Sequence, residues 1–272
     1  MKKLIHISLF LFSGLIIHSC NTPLPEFNTQ LTMGNVDPDN YIINTFDPAI
    51  RLASSITIGQ EEDITEAEIA ELDVDLDGED DFIFGLYFSL ETNFEYEMYQ
   101  DYYYEIRTNI LLEIENEGIA LNIEESTDTI YKCEWESGDK REYEVIRYTS
   151  DLGHQCPDNY SQSIEEVITR TFLKTYGDSD VIVTDSEWTS ENSSLFRHEY
   201  EANYEDYNGS SHKNPTSIKN IRLGLLSWNE PQYIAFSFTK ENVTKYGYLK
   251  FSLEEKDDYS WYLNILETVL EK

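Results

Sequence analysis

The sequence predicts an all-β chain, mainly antiparallel, folded as a β-sandwich with at most one or two short helices. Three observations carry this expectation. Apolar and polar residues alternate in several runs, the period of a strand with one buried face. Gly, Asn and Asp separate those runs at short intervals, as turns between strands require. Aromatic residues make up 14 % of the chain, with 20 Tyr and 13 Phe, and such side chains suit pleated, half-buried surfaces. A barrel closed edge to edge is the alternative to a sandwich.

The elements follow from the pattern in order. Short apolar pieces at Tyr41 to Ile43 and Ile56 to Ile58 open the β region, and Ile69 to Leu72 fits either a strand or a helical turn. The alternation is clearest in Phe82, Phe84, Leu86, Phe88 and Leu90, which share one face of a strand. Ile106, Thr108, Ile110, Leu112 and Ile114 form a second strand. The turn Glu115 to Gly118 returns it into Ile119, Leu121 and Ile123. Thr129 to Trp135 and Arg141 to Thr149 predict a further hairpin around Gly138. Ser163 with Glu166 three residues on resembles a capping box, and Ile164, Val167, Ile168 and Phe172 follow at helical spacing with Gly177 beyond. That segment predicts a helix.

Val181 to Val183 reads as a short strand, and Phe196, His198, Tyr200, Ala202 and Tyr204 alternate on a longer one. Glu205 to Ser217 reads as a long loop, followed by strands at Ile221 to Trp228, Tyr233 to Thr239 and Tyr246 to Leu253. The tail from Trp261 to Leu270 fits a closing strand or an amphipathic helix. No linker composition or fixed-period repeat divides residues 29–272, so they are expected to form one domain.

The charge restricts partners. With 53 Asp and Glu against 19 Lys and Arg the net charge is −34, and no clustered basic surface is available to neutralise phosphates. Nucleic acid is not expected. Bound divalent cations would offset part of the self-repulsion.

The first residues form a leader: Lys2 and Lys3, then a mostly apolar run from Leu4 to Ile17, too short to span a bilayer that needs about 20 residues. Ile17, His18, Ser19 and Cys20 close it. This arrangement resembles the bacterial lipoprotein signal, with a departure at His18, where a small or aliphatic residue is usual. The resemblance implies removal of residues 1–19, acylation of Cys20, a tether over residues 20–28, and anchoring through acyl chains in the outer membrane of a Gram-negative bacterium. The domain would then face the periplasm or the cell surface. In such an oxidising compartment the remaining pair, Cys133 and Cys156, is expected to form a disulfide. Closing that loop would restrict the unfolded chain by about 3 kcal/mol.

The most specific chemical motif is Asp73-x-Asp75-x-Asp77-Gly78-Glu79-x-Asp81, at the end of a stretch from Glu61 in which twelve of 21 residues are acidic and none is basic. Carboxylates at positions one, three, five and nine, a glycine at six and a carbonyl at seven are the donors a hard cation takes. The motif resembles the calcium loops of integrin-type propellers, thrombospondin repeats and dockerins. It implies side-chain ligands at Asp73, Asp75, Asp77 and Asp81, with Glu79 binding through its carbonyl. An EF-hand would need glutamate at position twelve, where this chain has Phe84. The expected cofactor is therefore calcium in a structural role, in an incomplete relative of that loop.

No zinc-helix histidine spacing, nucleophile elbow or phosphate loop occurs in the sequence. Trp188, Tyr200, Tyr204, Tyr207 and Trp228 lie on or beside predicted loops, where exposed rings could receive a glycan or an envelope protein; the competing reading puts such rings in the core. The segments Tyr233 to Phe238 and Lys245 to Phe251 are similar to exported bacterial β-domain proteins, a likeness that implies no activity. The sequence thus points to a lipid-anchored, calcium-stabilised binding or structural module without catalysis. The alternative is a carbohydrate-active hydrolase built on a carboxylate pair.

Overall fold

The computed structural model describes residues 31–54, 64–94, 102–136, 143–149, 156, 160–182, 186–204, 217–224, 229–257 and 260–272, all within the compact unit Leu31–Lys272. Among them the regular structure is entirely β. The strands are β1 (Tyr41–Ser54), β2 (Ile64–Leu72), β3 (Phe82–Phe94), β4 (Tyr102–Ile114), β5 (Ile119–Glu136), β6 (Tyr143–Thr149) and β7 (Ser161–Leu173). They continue with β8 (Thr175–Tyr176), β9 (Glu187–Thr189), β10 (Ser193–Tyr204), β11 (Ser217–Leu223), β12 (Gln232–Lys240), β13 (Val243–Asp257) and β14 (Ser260–Glu271).

All fourteen belong to one sheet, whose main path runs β1-β14-β13-β12-β5-β6-β11-β10-β4-β3-β2. Every described pairing is antiparallel except β6 with β11. The predicted all-β, mainly antiparallel class is therefore observed. Its layout is nearer the barrel than the sandwich, because a single continuous sheet curls until its ends, β1 and β2, come together. The Ala53 amide donates to a Glu68 carboxylate oxygen across that seam at 2.5 Å.

The curl has a cause in the alternation. Phe82, Phe84 and Leu86 of β3, Ile110 and Leu112 of β4, Phe196 of β10, Phe236 of β12, Phe251 of β13, and Trp261 and Leu263 of β14 all enter one interior cluster. A flat sheet would leave that shared face in water; curling buries it against itself. Phe236 needs room to do so, and β13 supplies it with Gly247 directly opposite. A Cβ at Gly247 would collide with the Phe236 ring and the Val269 carbonyl.

The opposite face of β12, β13 and β14 is also covered. Leu31 and Met33 join Tyr176, Ile182, Tyr233, Ala235, Tyr248 and Val269 in a second cluster. The Met33 amide donates to the Asp180 carbonyl at 2.8 Å and the Ile182 amide to the Leu31 carbonyl at 3.2 Å, fastening the start of the described chain there.

Two expectations change. The predicted helix from Ser163 is strand β7, in register with β5 from Ile123 opposite Leu173 to Glu134 opposite Ser161. Ile164, Val167, Ile168, Thr169 and Thr171 are β-branched, so the segment's intrinsic preference agrees with the strand; twelve paired residues then outweigh a capping signal worth about 1 kcal/mol. The strands expected at Ile119 to Ile123 and Thr129 to Trp135 are one continuous β5, which changes partners along its length. The tail at Trp261 to Leu270 is strand β14. The piece at Ile56 to Ile58 lies outside the described residues, as does nearly all of the loop after Glu205, whose last residue, Ser217, opens β11.

Candidate functional site

The acidic loop joins β2 to β3, two antiparallel strands in register from Ile64 opposite Leu90 to Leu72 opposite Phe82. Its backbone is wound about the first aspartate. Asp73 Oδ1 accepts the Leu76 amide at 2.6 Å and Asp73 Oδ2 the Gly78 amide at 2.8 Å. Asp75 and Asp77 each accept the amide two residues on, at 3.2 and 3.0 Å. Two residues adopt left-handed backbone, Leu76 at φ 62° and Gly78 at φ 95°; glycine at the second tolerates a conformation that other residues rarely adopt.

Asp73, Asp75 and Asp81 converge, each offering an oxygen within 4.8 Å of the others. Asp81 is the buried member at 1 % exposure. Its Oδ2 accepts the Val74 amide at 2.9 Å and its Oδ1 the Asn116 side-chain amide at 3.0 Å. Burial pushes the Asp81 carboxyl above the ordinary carboxylate range, against the lowering effect of those hydrogen bonds. Through Asp81 the loop also grips the β4–β5 turn: the Glu115 amide donates to the Asp81 carbonyl at 2.9 Å.

Asp77 and Glu79 stand apart from this trio, both exposed. Lys240, at the β12–β13 turn, places its ammonium 3.1 Å from Asp75 Oδ2 and 2.9 Å from Asp77 Oδ2. That hydrogen bond, followed by the Glu79 amide, holds the Asp77 carboxyl below its usual range. The loop is thus tied to two distant turns, and an ammonium already occupies one side of the carboxylate group. An all-oxygen donor set of this kind fits a hard divalent cation. Lys240 and Asn116 are the residues the sequence reading missed. They lie 163 residues from Asp77 and 35 from Asp81, and no local motif marks a lone lysine or asparagine in a turn.

A cavity of about 420 Å³ opens between β7 and the outer face of β10 and β11. Ile130, Ile168, Ile221 and Leu223 line its apolar part. Two ion pairs lie along it, Arg147 with Glu165 at 2.8 Å and Lys219 with Glu199 at 2.9 Å, and Glu166, Arg170 and Glu201 complete its charged lining. Burial raises the Glu199 carboxyl, but Lys219 and Arg197 outweigh it and leave the group below its ordinary value.

The predicted aromatic residues do not form one platform. Trp188 on β9 is half-buried against Tyr246, with ring centroids 5.9 Å apart. Tyr200 on β10 packs against Phe88, Leu90 and Ile106 in a separate cluster. Tyr204 pairs with Tyr102 in the β10–β4 register, while Cys20, Tyr207 and Trp228 lie outside the described residues. Cys133 and Cys156 form a disulfide with Cα atoms 5.6 Å apart.

No protein-family model, curated protein or solved structure matches this chain.

Proposed function

We propose that the chain is a lipid-anchored protein of the Gram-negative envelope whose β-domain is clamped by calcium and serves a binding or structural role without catalysis. The observation that supports the calcium clamp is the convergence of Asp73, Asp75 and Asp81, three carboxylates within 4.8 Å, which repel one another unless a cation intervenes. Asp77 and the Glu79 carbonyl would complete the donor set by the motif spacing. Anchoring rests on the leader and Cys20, and the acyl chains are the membrane contact. A glycan or an envelope protein is the partner the reading expects; nucleic acid is not.

The clamp has a mechanical sense. The loop sits where β2 turns into β3, and its carboxylates already hold the β4–β5 turn through Asn116 and the β12–β13 turn through Lys240. A cation there would bind the folded loop far better than the unfolded chain, and at a hundred times its Kd would stabilise the fold by about 2.7 kcal/mol. Lys240 competes for the same carboxylates, so it sets a threshold that the cation must exceed.

Hydrolysis by a carboxylate pair is the weaker reading. It needs one carboxyl kept protonated near neutral pH, whereas the cleft's Glu199 is held below its ordinary value and Glu165 is engaged by Arg147.

The test is thermal unfolding with and without chelator. Calcium should raise Tm by roughly 5 to 10 °C, from about 2.7 kcal/mol at 2 to 4 °C per kcal/mol, and Asp75→Ala should abolish the response. A Tm indifferent to calcium, chelator and Asp75→Ala alike would sink the clamp. Continued membrane association after Cys20→Ser would sink the anchor.

A further inference from the structure

We infer that β7 is a self-association edge, through which two copies of this chain pair antiparallel about a two-fold axis at Ile168. Among the described strands β7 pairs with β5 alone. The two ends of the sheet's main path, β1 and β2, face each other across the Ala53–Glu68 seam. Among the described residues strand β7 has no such cover: it is exposed from Ser161 to Thr171 apart from Ile168, with Ile164 at 64 % and Val167 at 59 %. An uncovered strand edge presents a row of backbone N–H and C=O groups that pair readily with another strand.

The occupant follows from charge. Of the three charged residues on β7, Glu165 is held by Arg147 within the chain. Glu166 and Arg170 have no hydrogen-bond or ion-pair partner among the described residues. They stand two positions either side of Ile168. Antiparallel pairing about that residue therefore sets Glu166 against the partner subunit's Arg170, and Arg170 against the partner subunit's Glu166. Ile168 meets its own copy, and Val167 meets the partner subunit's Thr169. Shifting the axis by half a residue sets Arg170 against the partner subunit's Glu165, which is already engaged, and leaves Glu166 facing Thr169. Charges on an edge ordinarily block association; here their signs are self-complementary in one register, the requirement for an isologous two-fold interface. With a chain this acidic, a partner edge carrying an available arginine is needed, and the second copy brings one.

Sedimentation equilibrium of the full chain carrying Cys20→Ser, which removes association through acyl chains, tests this directly. The expected species is a dimer. Glu166→Arg or Arg170→Glu alone places like charges opposite each other twice and should raise the dimer Kd at least about tenfold. The double exchange Glu166→Arg with Arg170→Glu should restore the original Kd. A monomer at every concentration overturns the inference, as does a dimer indifferent to the single exchanges or one that the double exchange fails to restore. Loss of association with an unchanged Tm in the single variants separates interface from folding.

Discussion

Strands β12 and β7 make similar antiparallel ladders, and their side chains have opposite fates. In β12 six of the first seven residues are buried, from Gln232 to Phe238. One face lines the barrel interior through Ile234, Phe236 and Phe238, and the other packs under Leu31 and Met33 through Tyr233 and Ala235. In β7 only Leu173 is fully buried. The ladder is common to both, so the difference in what each contributes to stability has to come from what covers the side chains. Substitutions in the two strands should separate by several kcal/mol although the backbone hydrogen bonding is alike.

The largest effect belongs to Phe236→Ala. The ring is fully buried, meets the Phe82 ring at 5.1 Å between centroids, and rests on Gly247. Its removal leaves a hole that strands on every side hold open, and a loss of about 3 to 5 kcal/mol is expected in urea unfolding. A loss below about 1 kcal/mol would mean that the interior can collapse, and would break the contrast at its stronger end.

A second effect comes from a polar group on the interior wall. His198 of β10 is fully buried, edge-on to the Trp261 ring at 5.6 Å. Its Nε2 donates to Asn220 Oδ1 at 3.0 Å, while Nδ1 finds no hydrogen-bond partner among the described residues. Burial, and then the Arg222 guanidinium, lower its pKa to about 4. Arg222 is itself paired with Glu255 on β13, and the neighbouring Glu199 carries two cations of its own. An unfolded histidine takes its proton at about 6.5, so below that pH the unfolded chain binds a proton that the folded one refuses. Stability therefore falls as pH drops from about 6.5 towards 4, with roughly 2 kcal/mol of the loss already present between pH 7 and 5. Most carboxylates titrate lower, so His198→Gln should flatten the slope over that interval. An unchanged slope in the variant would locate the pH dependence elsewhere.

The two strands also explain how much could be read from the residues alone. In the barrel wall, alternation and burial agree, so Phe82 to Leu90, Ile106 to Ile114 and Tyr233 to Thr239 were legible as strands. Strand β7 carries apolar residues at spacings a helix would also use, and what decides its state is β5, some forty positions away, where no local pattern registers. Strand β5 itself hides its length, because Glu124 to Asp128 breaks the apolar run just where it leaves the barrel wall for β7 and β6. The acidic loop divides the same way. Its carboxylate spacing lies within nine residues and is visible in the sequence, whereas Asn116 reaches it through the β3–β4 ladder that sets Phe82 opposite Ile114, and Lys240 only because the sheet curls. The rings of Trp188 and Tyr200 looked available for a ligand; alternation cannot say which face of a strand another cluster will cover.

The smallest effect should come from Ile164→Thr on β7. Threonine keeps the β-branch, so the strand preference is preserved while the apolar tip is lost. At 64 % exposure that tip has little buried area to lose, and the change should stay within about 0.5 kcal/mol in urea unfolding. It faces away from Glu166, because the ladder shifts register between Ile130 and Tyr131, and so should leave the Glu166–Arg170 register intact. A loss above about 1 kcal/mol that disappears on dilution would show that a second copy covers this face as well as the edge. A loss of that size independent of concentration would instead remove the distinction between β7 and β12 on which the contrast rests.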